Sequence, residues 1–561
     1  MRTFGTLRLV KVKDSRNGKR ANHKEWVIEH AEPHVCIKLK SIFTKIAQFA
    51  VCPFSFTDTP ENCHDLLWFM ERYPLSISGP HLNHLKYGRK KFLDNVNNLE
   101  EILLPDYKPV LAELKPGRTA RDYQLRGRDV WLKTKRLLLV DDMGLGKTLT
   151  STLGMLDPNL RPAAIVCQSH LPDQWEEQIN LFTNLRVHQI KGTRPYDLPE
   201  ADAYIFKYSC LAGWVDVFNE RIFKSVIFDE IQMLRRVESN RYQAAKVLSK
   251  QVNYAIGLSG TPIYNYGDEI YAIMNLLKEG CLGDYRSFSR EWCNYGKEVQ
   301  DPKALGAYLR ENFLYLRRTR DEVGRELPIV NKIVHTVGYD SKEVKKSEEI
   351  ARSLAIRVME ASSFVERGKA ARDLDWRLRE LTGISKARDV AAYVKIFLDN
   401  GEPVVLAGWH REVYSIWLEE LAEYNPVMYT GSESQEQKNE AVRKFTNGDS
   451  KLFIISLRSG VGLDGLQKIC KVVIFGELDW SPPVHDQVIT RVDRDGQPEQ
   501  VTAIFLVSDF GSDPVIIDVL GVKASQSHGI INPFSNMPEK FSDESRIKLL
   551  AKRFLDSLKS T

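Results

Sequence analysis

Paired cysteines, a dominant charge sign and long apolar runs are all missing from this 561-residue chain. Its eight cysteines (36, 52, 63, 167, 210, 281, 293 and 470) are scattered, with no Cys-x-x-Cys pair. That excludes a disulfide framework and suits free thiols in a reducing compartment. Cys52, Cys63, His64, His81 and His84 lie close together, but their spacing fits no common zinc pattern, so metal binding there is a question for the geometry. No stretch approaches membrane-spanning length and the first residues hold no apolar h-region. We therefore expect no membrane association and no secretion. The expected location is the cytoplasm, in a prokaryotic or viral context, or the nucleus. The formal charge of +5, from 79 basic and 74 acidic residues, is too small to specify a partner. Its distribution says more, because Arg8, Lys11, Lys13, Arg16, Lys19, Arg20 and Lys24 crowd near the start. Nucleic-acid contact and a solvated basic hairpin both fit that cluster.

What is present is the composition of an ordinary globular protein, long enough for roughly three to four domains. Residues 1–108 read as a small α+β module without a legible function. Thr6–Lys13 alternates like a strand, Ser15–Gly18 is a turn signal, and Glu25–His30 returns as the hairpin partner. From Leu111 the pattern becomes apolar strands alternating with helices, which predicts a mostly parallel sheet covered on both faces. Strands are expected at Leu137–Val140, Ala163–Cys167, Ala203–Phe206, Ser225–Phe228 and Tyr254–Leu258. Residues 263–385 read as mainly helical. A second α/β region follows, with strands at Pro403–Ala407, Leu452–Ser456, Lys471–Phe475 and Thr502–Val507.

One stretch of the first region carries chemistry. Leu137–Val140 reads as a strand running into Asp-Asp-Met-Gly-Leu-Gly-Lys-Thr. Gly144 and Gly146 let the backbone curl so that several N–H groups converge, Lys147 adds a positive charge, and Thr148 adds a hydroxyl where a helix begins. Such a loop cradles phosphates, with the lysine on the outer ones and the threonine on Mg²⁺. Asp229 and Glu230 follow the fourth strand at its carboxyl end, the edge where open α/β sheets bind ligands. Two adjacent acids there suit a metal and a water; a helix cap accounts for only one of them. In the second region Arg491 and Arg494 sit three apart and so share one side of a helix end. Paired guanidinium groups suit phosphate oxygens. The alternative is a surface salt network with Asp493 and Asp495.

The order of these pieces resembles the Swi/Snf-type helicase-like ATPases, the double-stranded DNA translocases of superfamily 2. Arg121-Asp-Tyr-Gln124 is similar to their adenine-recognising segment, and Val140–Thr148 to their first motif. Val166–Leu171 with Gln174-Trp175 resembles a nucleic-acid-contacting segment. Asp229-Glu-Ile-Gln232 stands where Asp-Glu-Ala-His is usual. Leu258–Asn265, the Arg317-Arg-Thr block with Val323 and Leu327-Pro328, Glu477–Pro482 and Gln487–Gln497 match the later motifs. The resemblance covers about residues 115–525, and seven motifs in order are far more specific than one. Around Arg458–Leu466 the alignment slips by one residue, which leaves open whether Asp464 or Gly465 takes a usual Asn position.

The resemblance implies two RecA-like parallel-sheet lobes with helical protrusions, in a compact member without chromatin-reader domains. The expected organisation is 1–108, the module; 109–338, the first lobe, with a helical insertion from about 263; 339–385, a helical bridge; 386–508, the second lobe; and 509–561, a brace ending in a helix at Asp543–Leu558. It also implies roles. Arg121, Gln124, Met143, Gly144, Leu145, Gly146, Lys147, Thr148 and Leu149 would hold ATP, and Thr148 with Asp229 would hold Mg²⁺. Glu230 would orient the attacking water, and Arg491 and Arg494 would stabilise the transferring phosphoryl group. Gln232, Ser259, Gly260, Thr261 and Gln487 would couple the lobes. Gln168, Ser169, His170, Ser456, Arg458 and Trp480 are candidates for contact with DNA, duplex or forked, without sequence preference. A strand-separating helicase on DNA or RNA and a non-hydrolysing DNA-binding scaffold are the competing functions.

Overall fold

The computed structural model describes residues 2–14, 21–43, 46, 49–260, 267–320, 322–324, 330–360, 364–457, 463, 465–494, 496–517 and 552. Three sheets organise them. The N-terminal module holds β1 (Thr6–Asp14), β2 (Ala21–Glu29) and β3 (Phe54–Thr57), all antiparallel, backed by helices Pro33–Ile42, Pro60–Arg72 and Gly79–Leu103. Its own core gathers Leu7, Trp26, Ile28, Phe54, Phe56, Leu66 and Phe69.

The first large sheet is entirely parallel. It contains β4 (Arg136–Leu139), β5 (Ala163–Cys167), β6 (Val187–Gln189), β7 (Ala203–Lys207), β8 (Ser225–Asp229), β9 (Tyr254–Leu258) and β10 (Tyr315–Leu316). Their order is β10-β4-β9-β8-β5-β7-β6. Ile165, Val166, Ile227 and Phe228 have no measurable exposure. Continuous apolar runs of this kind mark strands covered on both faces. The second sheet, also parallel, contains β11 (Asn331–Thr336), β12 (Val404–Gly408), β13 (Val427–Tyr429), β14 (Leu452–Ser456), β15 (Val472–Phe475) and β16 (Thr502–Val507), in the order β11-β16-β15-β12-β14-β13.

Three expectations about organisation change. β11 pairs along its whole length with β16, from Asn331 opposite Thr502 to Thr336 opposite Val507. The stretch just before residue 338 therefore belongs to the second sheet, not the first. Its six residues are all exposed, which is why no apolar run announced it. The expected bridge at 339–385 is no separate piece either. Ala351, Ala355, Leu374 and Leu378 lie in one core with Val405, Phe453 and Phe475 of the second sheet. Helix Phe364–Asp399 runs unbroken through the boundary placed at 386. Nor do helices Glu269–Leu277, Tyr285–Cys293 and Pro302–Glu311 protrude, since Ile273, Phe288 and Leu309 share a core with Phe206 and Phe228 of the first sheet. The expected helix at Asp543–Leu558 and most of the brace lie outside the described residues. Among the described residues, no helix is long and apolar enough to cross a membrane.

One buried histidine gives the second lobe a measurable pH dependence. His485 is 3 % exposed and its Nε2 accepts the Asp479 backbone N–H at 3.0 Å. Burial pushes it down to about 4. The unfolded chain binds a proton near pH 6.5 and the fold does not, so stability present at pH 7 is lost as pH falls from about 6.5 toward 4. We expect this one residue to cost about 2 kcal/mol between pH 7 and pH 5. Urea unfolding of the chain and of His485→Gln at both pH values checks it. Equal pH slopes for the two would remove His485 as the cause.

Candidate active site between the two sheets

The loop from β4 to helix Lys147–Met155 has the cradle geometry expected of it. Gly144 and Gly146 take φ of +85° and +74°, values that favour glycine. Gly146 is doubly constrained, because a Cβ there would sit 2.5 Å from Gln124 Nε2. Gln124 is 5 % exposed; its Oε1 accepts the Arg121 N–H at 3.0 Å and its Nε2 donates to Leu145 O at 3.1 Å. That pairing ties the start of helix Asp122–Thr134 to the loop backbone. The Lys147 ammonium donates to the carbonyls of Asp141 (2.7 Å) and Asp142 (3.2 Å), and burial lowers its pKa.

Asp229 ends β8, where its carboxylate Oδ2 accepts Trp175 Nε1–H at 2.8 Å. Burial first, then the charge of Glu230, pushes Asp229 up to about 7. Glu230 has φ +49°, a left-handed conformation that is strained for a glutamate and tends to persist at functional sites. Gln232, 1 % exposed, donates its side-chain N–H to the Glu230 carboxylate.

Both lobes close on this point. A cavity of about 460 Å³, within the usual range for ligand sites, is lined on one side by Gly144, Lys147, Thr148, Asp229 and Glu230. Arg491 and Arg494 line the other side, more than three hundred residues from the loop in sequence. Arg494 Nε donates to Thr490 O and its Nη1 to Leu463 O, both at 3.1 Å. Two adjacent, partly buried acids, one of them with its carboxyl raised by burial and by the other's charge, fit a divalent cation, and Thr148 lines the same cavity.

Most of the residues expected to hold ATP or to act on it thus converge here, whereas most of those expected to couple the lobes or to touch DNA lie elsewhere. Trp480 does not face a ligand: it is 4 % exposed and donates its indole N–H to Asp375 Oδ1 at 2.6 Å, so it belongs to the second-lobe core. Ser456, at the end of β14, is also buried, at 6 %. Gln168, Ser169 and His170 follow β5, with the last two exposed. Leu145 is buried and Leu149 does not line the cavity; Ser259 is 1 % exposed, and Gln487 lies buried in helix Pro482–Val492 outside the lining. Gly260 does line it. Thr261, Arg458, Asp464 and Asp495 lie outside the described residues. The cysteine–histidine group in the module is not gathered for a metal. Cys63 Sγ lies 3.6 Å from Asp58 Oδ1, His81 Nδ1 accepts the Leu9 N–H, and His64 stacks on Phe92. Among the described residues no three such side chains form a metal-binding set.

Two residues at the site carried no role in the sequence reading. Trp175, read as part of a nucleic-acid-contacting segment, holds Asp229 instead. Arg320 was not singled out at all. Its Nη1 donates to Asp493 Oδ2 (2.6 Å) and its Nη2 to Asp493 O (2.7 Å) in the second lobe. The same guanidinium donates to Met143 O in the phosphate loop, from Nη2 (3.0 Å) and Nε (3.2 Å). Neighbouring Arg317 pairs with Asp142 at 2.6 Å, and Arg318 pairs with the fully buried Asp141. The signal was legible as charge matching: three arginines in four residues, and two adjacent aspartates just past the apolar strand β4 needing partners.

A family model for the SNF2-related domain matches residues 64–382, and one for the helicase conserved C-terminal domain matches residues 389–496. The first match begins inside helix Pro60–Arg72, well before the resemblance read at residue 115. The chain is 25 % identical over 498 residues to a SWI/SNF-related matrix-associated actin-dependent regulator of chromatin subfamily A-like protein 1 of Drosophila melanogaster. That alignment covers 83 % of this chain and 64 % of the fly protein. It is 23 % identical over 396 residues to an uncharacterized ATP-dependent helicase of Mycoplasma genitalium, covering 66 % of this chain and 38 % of the other. To the human DNA annealing helicase and endonuclease ZRANB3 it is 25 % identical over 492 residues, covering 81 % and 44 %. The chain thus spans less than two thirds of each of these relatives.

Proposed function

The chain belongs to the SNF2-related family of helicase-like ATPases, and from that premise we propose that it hydrolyses ATP between its two lobes to move along double-stranded DNA. The observation that carries this reading is the cavity that brings Lys147, Asp229 and Glu230 of one lobe against Arg491 and Arg494 of the other. Lys147 exchanges its contacts with the loop carbonyls for the β- and γ-phosphates, beside the helix N-terminus. Thr148 and Asp229 would hold Mg²⁺, which would supply charge neutralisation on the phosphate oxygens. Trp175 keeps the Asp229 carboxylate in place for that role. The Glu230 carboxylate orients the attacking water and accepts its proton, while Gln232 fixes the carboxylate from below. Arg491 and Arg494 stabilise charge as the phosphoryl group transfers. Gln124 positions the loop against the adenine side of the nucleotide.

Closure around ATP and opening after hydrolysis shift one lobe against the other along the phosphate backbone. Such a grip is insensitive to base sequence and weakened by salt. Gln168, Ser169 and His170 at the carboxyl end of β5 remain our candidate DNA contacts. We assign 109–330 to the first lobe and 331–508 to the second, with 1–108 as the module.

The deciding measurement is phosphate release against duplex, forked, single-stranded and RNA ligands, beside paired assays for triplex displacement and strand displacement. We expect duplex or forked DNA to stimulate ATPase most, with triplex displaced and duplex strands left annealed. Release of single strands makes the chain a helicase. No ATPase with any ligand makes it a scaffold and sinks the reading.

A further inference from the structure

The basic cluster near the N-terminus has a shape. β1 and β2 pair from Thr6 opposite Glu29 to Asp14 opposite Ala21. β3 pairs with Glu25–Ile28, and the Asp58 N–H just past its end bonds Lys24 O at 3.0 Å, so beyond Lys24 the two strands run on as a ribbon with no described third strand beside them. The overhang, residues 12–14 with 21–23, extends roughly 10 Å at about 3.3 Å per residue, with Lys11 and Lys24 at its base.

Register decides what it carries. Leu7 opposes Ile28 and Leu9 opposes Trp26 on the face that enters the module core, where Leu7, Trp26 and Ile28 are fully buried. The next pair on that same face is Lys11 opposite Lys24. A face that is apolar inside the module thus turns basic as soon as it leaves it. Lys11 and Lys24 are exposed, and among the described residues neither has an ion-pair partner. Like charges directly opposite each other destabilise a strand pair, so nothing in the fold rewards this arrangement. The sequence from Arg8 to Lys24 holds seven basic residues against Asp14 alone, more positive charge than the whole chain carries net. Arg8 pairs with Glu29 at 3.2 Å.

We propose that this ribbon is an arm that grips the phosphate backbone of double-stranded nucleic acid, independently of the ATP cleft. Charge complementarity selects a polyanion. A two-stranded ribbon also fits a duplex major groove about 12 Å wide, and its paired lysines reach phosphates on either side. The proposed motor activity enters only in choosing duplex DNA as the probe.

The test uses the full chain and a labelled blunt duplex, with anisotropy followed across a salt series. In Lys11→Gln/Lys24→Gln we expect duplex affinity to fall at least about tenfold at low salt, because two phosphate contacts are lost. The slope of log affinity against log salt should shrink by about 2, at ~0.9 per contact. Nucleotide binding without DNA and the thermal midpoint should not change. Lys91→Gln, on an exposed face of helix Gly79–Leu103, should bind as the unaltered chain does. An unchanged affinity and slope in the double variant overturns the arm. So does a loss confined to RNA or to anionic vesicles, or an unaltered chain that binds no duplex. If DNA stimulates ATPase and the double variant binds normally, only the arm fails. If the double variant loses binding while DNA never stimulates ATPase, the arm stands and the motor reading fails.

Discussion

Arg494→Ala should lower the DNA-stimulated ATPase rate by about 10³-fold or more while nucleotide binding stays within a few fold. The asymmetry follows from where the groups lie. In the proposed mechanism Lys147 and the glycine loop, which belong entirely to the first lobe, bind the phosphates there, whereas Arg494 lines the cavity from the second. Binding needs one wall of the cleft; hydrolysis needs both. Arg494 also donates to Thr490 O and Leu463 O, so Arg494→Lys serves as the companion variant that keeps charge at the same position. A planar fork does what a single ammonium does not, and we expect the lysine to recover only part of the rate. Phosphate release beside equilibrium binding of a fluorescent ATP analogue separates the two effects. Near-normal turnover in Arg494→Ala would falsify its role.

Arg320→Ala should be the second large loss, of about 10²-fold in kcat, the size expected when a reacting group is displaced by an ångström or so. Arg320 does not itself line the cavity, so it acts as a positioning residue. Its guanidinium binds Met143 O and Asp493 together, and Asp493 sits between Arg491 and Arg494 in sequence. Asp493 is 6 % exposed, so removing this partner leaves a buried carboxylate uncompensated. The readout that marks positioning is the distance between fluorophores on the two lobes without nucleotide. It should widen in Arg320→Ala and be partly restored in Arg320→Lys, while ATP affinity changes little. An unchanged distance together with an unchanged kcat would show that the contact is incidental.

How much of this was legible in the chain differs by element. The central strands were read almost residue for residue, β5, β9, β14 and β16 among them, because strands covered on both faces are continuous apolar runs. β11 was invisible for the converse reason: an edge strand of polar and exposed residues has no pattern to find. Helix Phe364–Asp399 was cut in two because it changes its surroundings along its length, packing on one core near Leu374 and another near Val394. At the site, Lys147, Asp229 and Glu230 were local signals of loop and strand end. Arg491 and Arg494 were intelligible only through the order of motifs, since nothing nearby distinguishes them from a salt network. Trp480 was a candidate only through its place in the matching motif Glu477–Pro482, whereas burial and its bond to Asp375 make it core. Arg320 and Trp175 act on residues far away in the chain, at Asp493 and Asp229, and such pairings are decided by the fold alone.

The way β10 gives place to β11 has a mechanical consequence. The first sheet ends at Leu316, Arg317, Arg318 and Arg320 stay bonded to Asp142, Asp141 and Met143 of the first lobe, and the second sheet begins at Asn331, so residues 321–330 are the covalent tether between the lobes. Fully stretched, that length spans on the order of 35 Å, more than a cleft opening requires. The leash therefore does not limit the stroke. What does is the pair of polar contacts across the cleft, Arg320 with Asp493 and Thr490 with Met143, the first of which begins only a few residues past Leu316. Arg320 and Asp493 are shielded from solvent, with side-chain exposures of 15 % and 9 %, so salt barely screens them. A grip on DNA phosphates is screened strongly. Ionic strength thus acts on the track and leaves the hinge alone.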